Sequence, residues 1–176
     1  MKRKNILTIL LVFILTTFSI LGATPNNKNE KLAVPNIILK DQYGTEHNLK
    51  NYKGKVVFIN FWATWCGYCI EELSHLEKIS KDYKDDVIVL GIVAPKSKEA
   101  PRNPDIAKDK IIDFINRKNI TFPILFDETG SILKEYSIRF FPVSFIVGKD
   151  GYLDGYIPGA ADEANLQKFI EDALAK

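Results

Sequence analysis

The amino-acid sequence predicts an α/β fold in which a mixed β-sheet carries helices on both faces. Three observations predict it. Two near-continuous apolar runs, Val56-Val57-Phe58-Ile59-Asn60-Phe61 and Val87-Ile88-Val89-Leu90-Gly91-Ile92-Val93, have the composition of strands buried on both sides. Between them the period changes, with Ile70, Leu73, Leu76 and Ile79 at three-residue spacing and Glu71, Glu72, Lys78 and Lys81 interleaved, which is the pattern of an amphipathic helix. Near the C-terminus Val143–Val147 and Tyr152–Ile157 flank the turn Gly148-Lys149-Asp150-Gly151, an antiparallel hairpin that makes the sheet mixed.

The remaining elements follow in chain order. Asn36–Lys40 and Thr45–Leu49, joined by the turn Asp41-Gln42-Tyr43-Gly44, form an N-terminal hairpin. A Pro- and Lys-rich loop over 94–104 leads into a helix from about Asp105 to Lys118, with Ile106, Ile111, Ile112 and Ile115 on its buried side. Phe122–Phe126 is a short strand and Ser131–Tyr136 a short helix. Asp162 caps a last helix that carries Leu166, Phe169, Ile170 and Leu174. At 176 residues, with 46% hydrophobic and 26% charged residues, the chain has room for one substantial core.

The first 23 residues stand apart. Lys2-Arg3-Lys4 precede an uncharged apolar run, Ile6 to Leu21, and Leu21-Gly22-Ala23 offers small residues for cleavage before the polar stretch from Thr24 to Glu30. This reads as an export signal, with an uncleaved membrane anchor as the alternative, because Ile6 to Ala23 is near the lower limit for spanning a bilayer. Residues 24–34 read as a linker and 35–176 as the folded domain. Either fate of the leader places that domain outside the cytoplasm. Removing residues 1–23 takes three of the 24 basic residues and no acidic one, turning the formal charge from +2 to −1. Neither value gives an electrostatic reason to expect a nucleic-acid partner.

An exported domain is free to use disulfides for stability, yet this chain has two cysteines, Cys66 and Cys69, separated by two residues. Closing so short a loop restricts the unfolded chain little, about 2 kcal/mol on a loop-entropy view. The pair is there for chemistry. It falls where a buried strand gives way to a helix, with Cys66 ahead of the first turn and Cys69 inside it. Unpaired amides and the positive end of the helix dipole favour a thiolate there, and a stabilised thiolate both attacks and leaves well in disulfide exchange. Cys66, nearer the surface, is the expected attacking thiol and Cys69 the resolving one.

The stretch Asn60-Phe61-Trp62-Ala63-Thr64-Trp65-Cys66-Gly67-Tyr68-Cys69 resembles the signature of the thioredoxin superfamily, and specifically of its exported TlpA/ResA-like branch with a redoxin (AhpC/TSA-like) domain. Tyr52–Val57 before it and Tyr136–Pro142 after it also sit where that family has counterparts, so the likeness runs from about residue 35 to the end. The resemblance implies a thioredoxin-like three-layer sandwich with an added N-terminal β-hairpin. It implies that Pro142 is cis and faces the cysteines, and that the Phe141 backbone bonds a bound substrate strand. It also implies that Glu72, three residues after Cys69, is partly buried near the thiols as a proton relay, standing in for the buried aspartate that cytoplasmic thioredoxins carry at the position of Asn60. Trp65, Gly67 and Tyr68 are expected to line the substrate groove, and Trp62 to be core. His47 and His75 are read as structural, with Glu71 the expected neighbour of His75 at i−4. Two departures stand out: Ser74 occupies the place of a kinking proline, and Gly67-Tyr68 is neither of the common intervening pairs.

The resulting expectation is a thiol–disulfide oxidoreductase that uses no cofactor or metal and acts on protein disulfides, more in the direction of reduction. By the resemblance, its electrons come from a membrane thiol–disulfide carrier. Two clients fit. An exported methionine sulfoxide reductase is favoured by the likeness of Gly91-Ile92-Val93-Ala94-Pro95 and its charged loop to domains joined to such reductases. Apocytochrome c comes second, because Arg139-Phe140-Phe141 lacks a Gly-rich approach to Pro142. Disulfide introduction is the enzymatic alternative. A copper carrier on the same fold is the non-enzymatic one, but it needs wider cysteine spacing and a distal histidine, and no histidine follows His75. A peroxiredoxin would need a lone peroxidatic cysteine in a Thr/Pro-rich turn.

Overall fold

The computed structural model describes residues 31–176, so the expected signal or anchor at 1–23 lies outside the described residues. The central sheet has the order β5-β4-β3-β6-β7, built from β3 (Val56–Phe61), β4 (Val87–Val93), β5 (Ile124–Phe126), β6 (Val143–Val147) and β7 (Leu153–Pro158). β4 lies parallel to β3 and to β5, whereas β6 is antiparallel to both β3 and β7. All six residues of β3 are buried, as the unbroken apolar run requires of a central strand.

Side chains along β3 alternate between two cores. Val56 and Phe58 join one core with Leu73, Leu76 and Ile79 of α1 (Gly67–Asp82), Ile111 and Ile115 of α2 (Lys108–Arg117), and Leu166, Ile170 and Ala173 of α4 (Glu163–Leu174). Val57, Ile59 and Phe61 join the other with Ile132 and Tyr136 around α3 (Ser131–Glu135) and with Ile37 and Leu49 of the N-terminal segment. There β1 (Ile38–Lys40) and β2 (Glu46–Asn48) form the added hairpin as a separate two-stranded sheet. Both faces are therefore covered, the second by one short helix and the hairpin segment. Among the described residues no helix is long and apolar enough to cross a membrane.

Several boundaries differ from the sequence reading, two of them with consequences for the domain and the site. Residues 31–34, read as linker, are held to the domain: Leu153 N–H donates to Leu32 C=O at 2.8 Å and Ala33 bridges Tyr152. The second helix begins at Lys108 rather than near Asp105, and Ile106 is exposed. Asp105 is instead drawn inward by polar contacts with the cysteine loop. Buried Asp41 anchors the hairpin turn, accepting from Tyr43 N–H (2.8 Å), Thr45 N–H (2.9 Å) and His47 Nε2 (2.9 Å).

Candidate active site

Sheet register brings the site together. Phe61, the last residue of β3, pairs with Val143, the first residue of antiparallel β6. The chain leaving β3 toward Cys66 and the chain entering β6 through Phe141-Pro142 therefore meet at one end of the sheet, although they are about eighty positions apart in sequence. The Phe141–Pro142 peptide is cis, and Pro142 is buried with its carbonyl accepting from Gly159 N–H at 3.0 Å. Phe141 packs against the core cluster that contains both cysteines.

Cys66 is the N-cap residue of α1, with extended backbone (φ −90°, ψ 104°). Its sulfur accepts from the Cys69 backbone N–H at 3.2 Å, so the thiol occupies the place a serine or aspartate oxygen takes in an ordinary cap. An amide aimed at the sulfur and the helix dipole both favour the anionic form once the disulfide opens. In this structure Cys66 and Cys69 form a disulfide with Cα atoms 5.2 Å apart. Cys66 is 7% exposed and Cys69 1%, an asymmetry that leaves Cys66 the more accessible to an external disulfide.

The loop before Cys66 is clamped by residues that motif reading passed over. Asp105, 3% exposed, accepts from Thr64 N–H at 2.8 Å, from the Thr64 hydroxyl and from Ile106 N–H at 2.7 Å. Asn103 holds the loop that carries Asp105, donating to the carbonyls of Pro95, Asp127 and Glu128 at 3.0–3.2 Å. Trp65 Nε1 donates to Pro104 C=O at 2.9 Å, and its exposed ring meets that of Phe141 edge-on with centroids 5.8 Å apart. Gly67 and Tyr68 open α1 on the surface, and Phe140, which the sequence reading did not single out, is also exposed. Trp62 is fully buried and packs on Phe114. The sequence sign of the Asp105 clamp is slight: one of two acidic residues in a Pro- and Lys-rich loop.

Beneath the helix lies a buried polar cluster. Glu72 is 1% exposed, with Oε2 accepting from Asn60 Nδ2 (2.8 Å) and Oε1 from Ala161 N–H (3.0 Å). Asn60 Nδ2 also donates to Ser144 Oγ at 2.9 Å, tying α1, β3 and β6 together. Burial pushes the Glu72 carboxyl above its ordinary value, against the two hydrogen bonds and the charge of His75, which pull it down. This buried carboxyl lies one helical turn beyond Cys69 on α1. His75 lines one cleft with its expected neighbour Glu71 and with Glu72, and its Nδ1 is buried with no hydrogen-bond partner among the described residues.

The AhpC/TSA family matches residues 31–155. The chain belongs to that family. Within it, the chain is 31% identical over 180 residues to the thiol-disulfide oxidoreductase ResA of Geobacillus thermodenitrificans, covering 97% of this chain and 98% of the relative. The pneumococcal exposed lipoprotein thioredoxin Etrx1 of Streptococcus pneumoniae superposes with a TM-score of 0.69 at 27% identity, over 78% of this chain and 99% of that one. StoA of Bacillus subtilis superposes with a TM-score of 0.65 at 25% identity, over 77% and 96%. The protein is a thiol–disulfide oxidoreductase of ResA/StoA type, a thioredoxin-superfamily enzyme in which Cys66 and Cys69 are the cysteine pair.

Proposed function

We propose that this enzyme works outside the cytoplasm and reduces disulfides of exported proteins, taking its electrons from a membrane thiol–disulfide carrier. The observation that carries the catalytic part is the Cys66 sulfur at the helix cap, receiving the Cys69 N–H, with the Glu72 carboxyl buried one turn further along. The basic-then-apolar leader supports the location, as does likeness to a protein described as an exposed lipoprotein thioredoxin.

In the reduced protein the Cys66 thiolate attacks one sulfur of a client disulfide. The client S–S bond breaks, a mixed disulfide forms, and the departing client thiolate takes a proton from water. Cys69 then gives its proton to the Glu72 carboxylate and attacks Cys66 Sγ. The intramolecular disulfide forms, the second client sulfur leaves as thiolate and is protonated, and two electrons have passed to the client. A dithiol from the membrane carrier returns them by the reverse exchange. Pro142 and the Phe141 backbone present the edge on which a client strand lies, while Trp65, Gly67 and Tyr68 form the surface it meets. The exposed rings of Trp65 and Tyr68 support that reading. An exported methionine sulfoxide reductase is the client we propose, with apocytochrome c second, because Phe140 and Phe141 make the approach to Pro142 bulky.

Cys69→Ser tests this directly. The client should remain covalently attached to Cys66 and be released by reductant. Capture of a sulfoxide reductase supports the proposal, capture of an apocytochrome moves the client assignment, and many unrelated proteins point to a general oxidase or isomerase. A reduction potential near about −270 mV supports reduction, and one near about −120 mV overturns it in favour of disulfide introduction.

A further inference from the structure

Glu72 is 1% exposed. Both of its oxygens are held, by Ala161 N–H and Asn60 Nδ2, and a client lying over Trp65, Cys66 and Phe141 would close the cysteine face. On the flank of α1, however, a cleft of about 140 Å3 is lined by Tyr68, Glu71, Glu72, His75, Ala161 and Asp162. Its volume holds a few waters. His75 follows Glu72 by three residues, on the same side of the helix. The imidazole is half-buried, and an unsatisfied buried ring nitrogen is costly to keep unless a proton or a water visits it.

We propose that His75 relays protons between solvent and the buried Glu72 carboxyl through this lateral cleft, so that Cys69 can be deprotonated while a client covers the Cys66 face. The inference rests on the reading of Glu72 as the proton acceptor of Cys69. His75 acts through Glu72 and never on sulfur. During resolution one proton leaves Cys69 for Glu72 and passes by His75 to water, and the same path runs backwards when the pair is reduced. An imidazole suits the task because it takes a proton on one nitrogen and gives it from the other. The charged groups around it are Glu71 and Glu72 on α1, with Asp162 and Glu163 from the α4 side. Asp162 is engaged by Asn165 N–H at 2.8 Å and Glu163 pairs with Lys78, so each is already held by a local partner.

The test is a stopped-flow measurement with the reduced protein and oxidised glutathione, following the step in which Cys69 displaces glutathione from Cys66. His75→Ala and His75→Gln should each slow that step about tenfold or more, and free imidazole should restore the alanine variant. The equilibrium constant with glutathione should not move, because a relay changes rates and not end states. Glu72→Gln should slow the step more, with no rescue by imidazole. Unchanged rates in both His75 variants, or a loss that imidazole does not restore, overturn the relay. If Glu72→Gln is slow while the His75 variants are normal, only the relay falls. If Glu72→Gln is also normal, the role of Glu72 falls with it.

Discussion

Replacing Glu72 by alanine and, separately, by the isosteric glutamine gives a discriminating stability test, because alanine removes both hydrogen-bond acceptors and the buried volume while glutamine keeps the shape. With alanine, Ala161 N–H and the Asn60 amide lose their acceptor inside the protein. Each orphaned buried donor costs about 1–3 kcal/mol, so Glu72→Ala should cost about 2–6 kcal/mol, less whatever is regained by no longer burying a carboxyl. With glutamine, the amide oxygen keeps Ala161 N–H and the amide nitrogen turns toward Asn60. A half-turn of the Asn60 amide lets its oxygen accept from the new amide and from the Ser144 hydroxyl, but turns its own N–H groups to the position Oδ1 held, where no partner lies among the described residues. Glu72→Gln, which keeps the Ala161 bond and the side-chain volume, should therefore cost about 1–3 kcal/mol, less than alanine. Urea unfolding of both variants at pH 7 reads the difference. Equal destabilisation would refute the hydrogen-bond account. The pH dependence adds a sign. Burial raises the Glu72 carboxyl above 4.5, so the folded state binds that proton more tightly than the unfolded chain. Wild-type stability should fall as pH rises from about 4.5 to the folded value and then level, and Glu72→Gln should remove that slope.

Asp105→Ala strips the acceptor from Thr64 N–H and Ile106 N–H; unfolding should show a loss of about 2–4 kcal/mol, and the rate of exchange with a disulfide should drop as the Cys66 loop loosens. Trp65→Ala removes an exposed ring and one hydrogen bond to Pro104, so stability should change by less than about 1 kcal/mol while client exchange slows, a split that urea unfolding and insulin reduction measure separately. Gly91→Ala would place a methyl 2.5 Å from Ile124 Cδ1 and 3.1 Å from Trp62 Nε1, and overpacking of this kind should cost about 1–3 kcal/mol in thermal unfolding. Burial pushes the Asp41 carboxyl up, but hydrogen bonds from His47, Thr45 and Tyr43 outweigh it and hold the group below 3.8. Its contribution is thus present above that value and lost as pH falls through the folded one, so Asp41→Asn should lower stability at pH 7 and flatten the acid limb of the unfolding curve.

Local pattern carried most of the architecture. The runs 56–61 and 87–93 have the length and the near-continuous, β-branched apolar composition of strands covered on both faces, and both match their observed bounds. The spacing of Leu73, Leu76 and Ile79 marked the buried side of α1, and Asp162 marked the start of α4 by its capping oxygen. The cysteine pair announced its chemistry through spacing and position alone. The loop from 94 to 107 was read less well. Its proline and charge content says only that it is irregular, and its buried Asn103 and Asp105 take meaning from partners 8 to 41 residues away.

What the sequence by itself determined is everything that depends on neighbours within a few turns: strands, helices, caps and a thiol at the head of a helix. What only the tertiary structure decided is everything that depends on which strand lies beside which. Antiparallel pairing of Phe61 with Val143 brings Pro142 to the cysteines, and packing of α1 over β3 seats Glu72 on Asn60. The same packing turned His75 from a helix-surface residue into the wall of a cleft beside a buried acid. The physical reason is that burial and hydrogen bonding are set by contacts distant in the chain, and residue spacing carries no record of them.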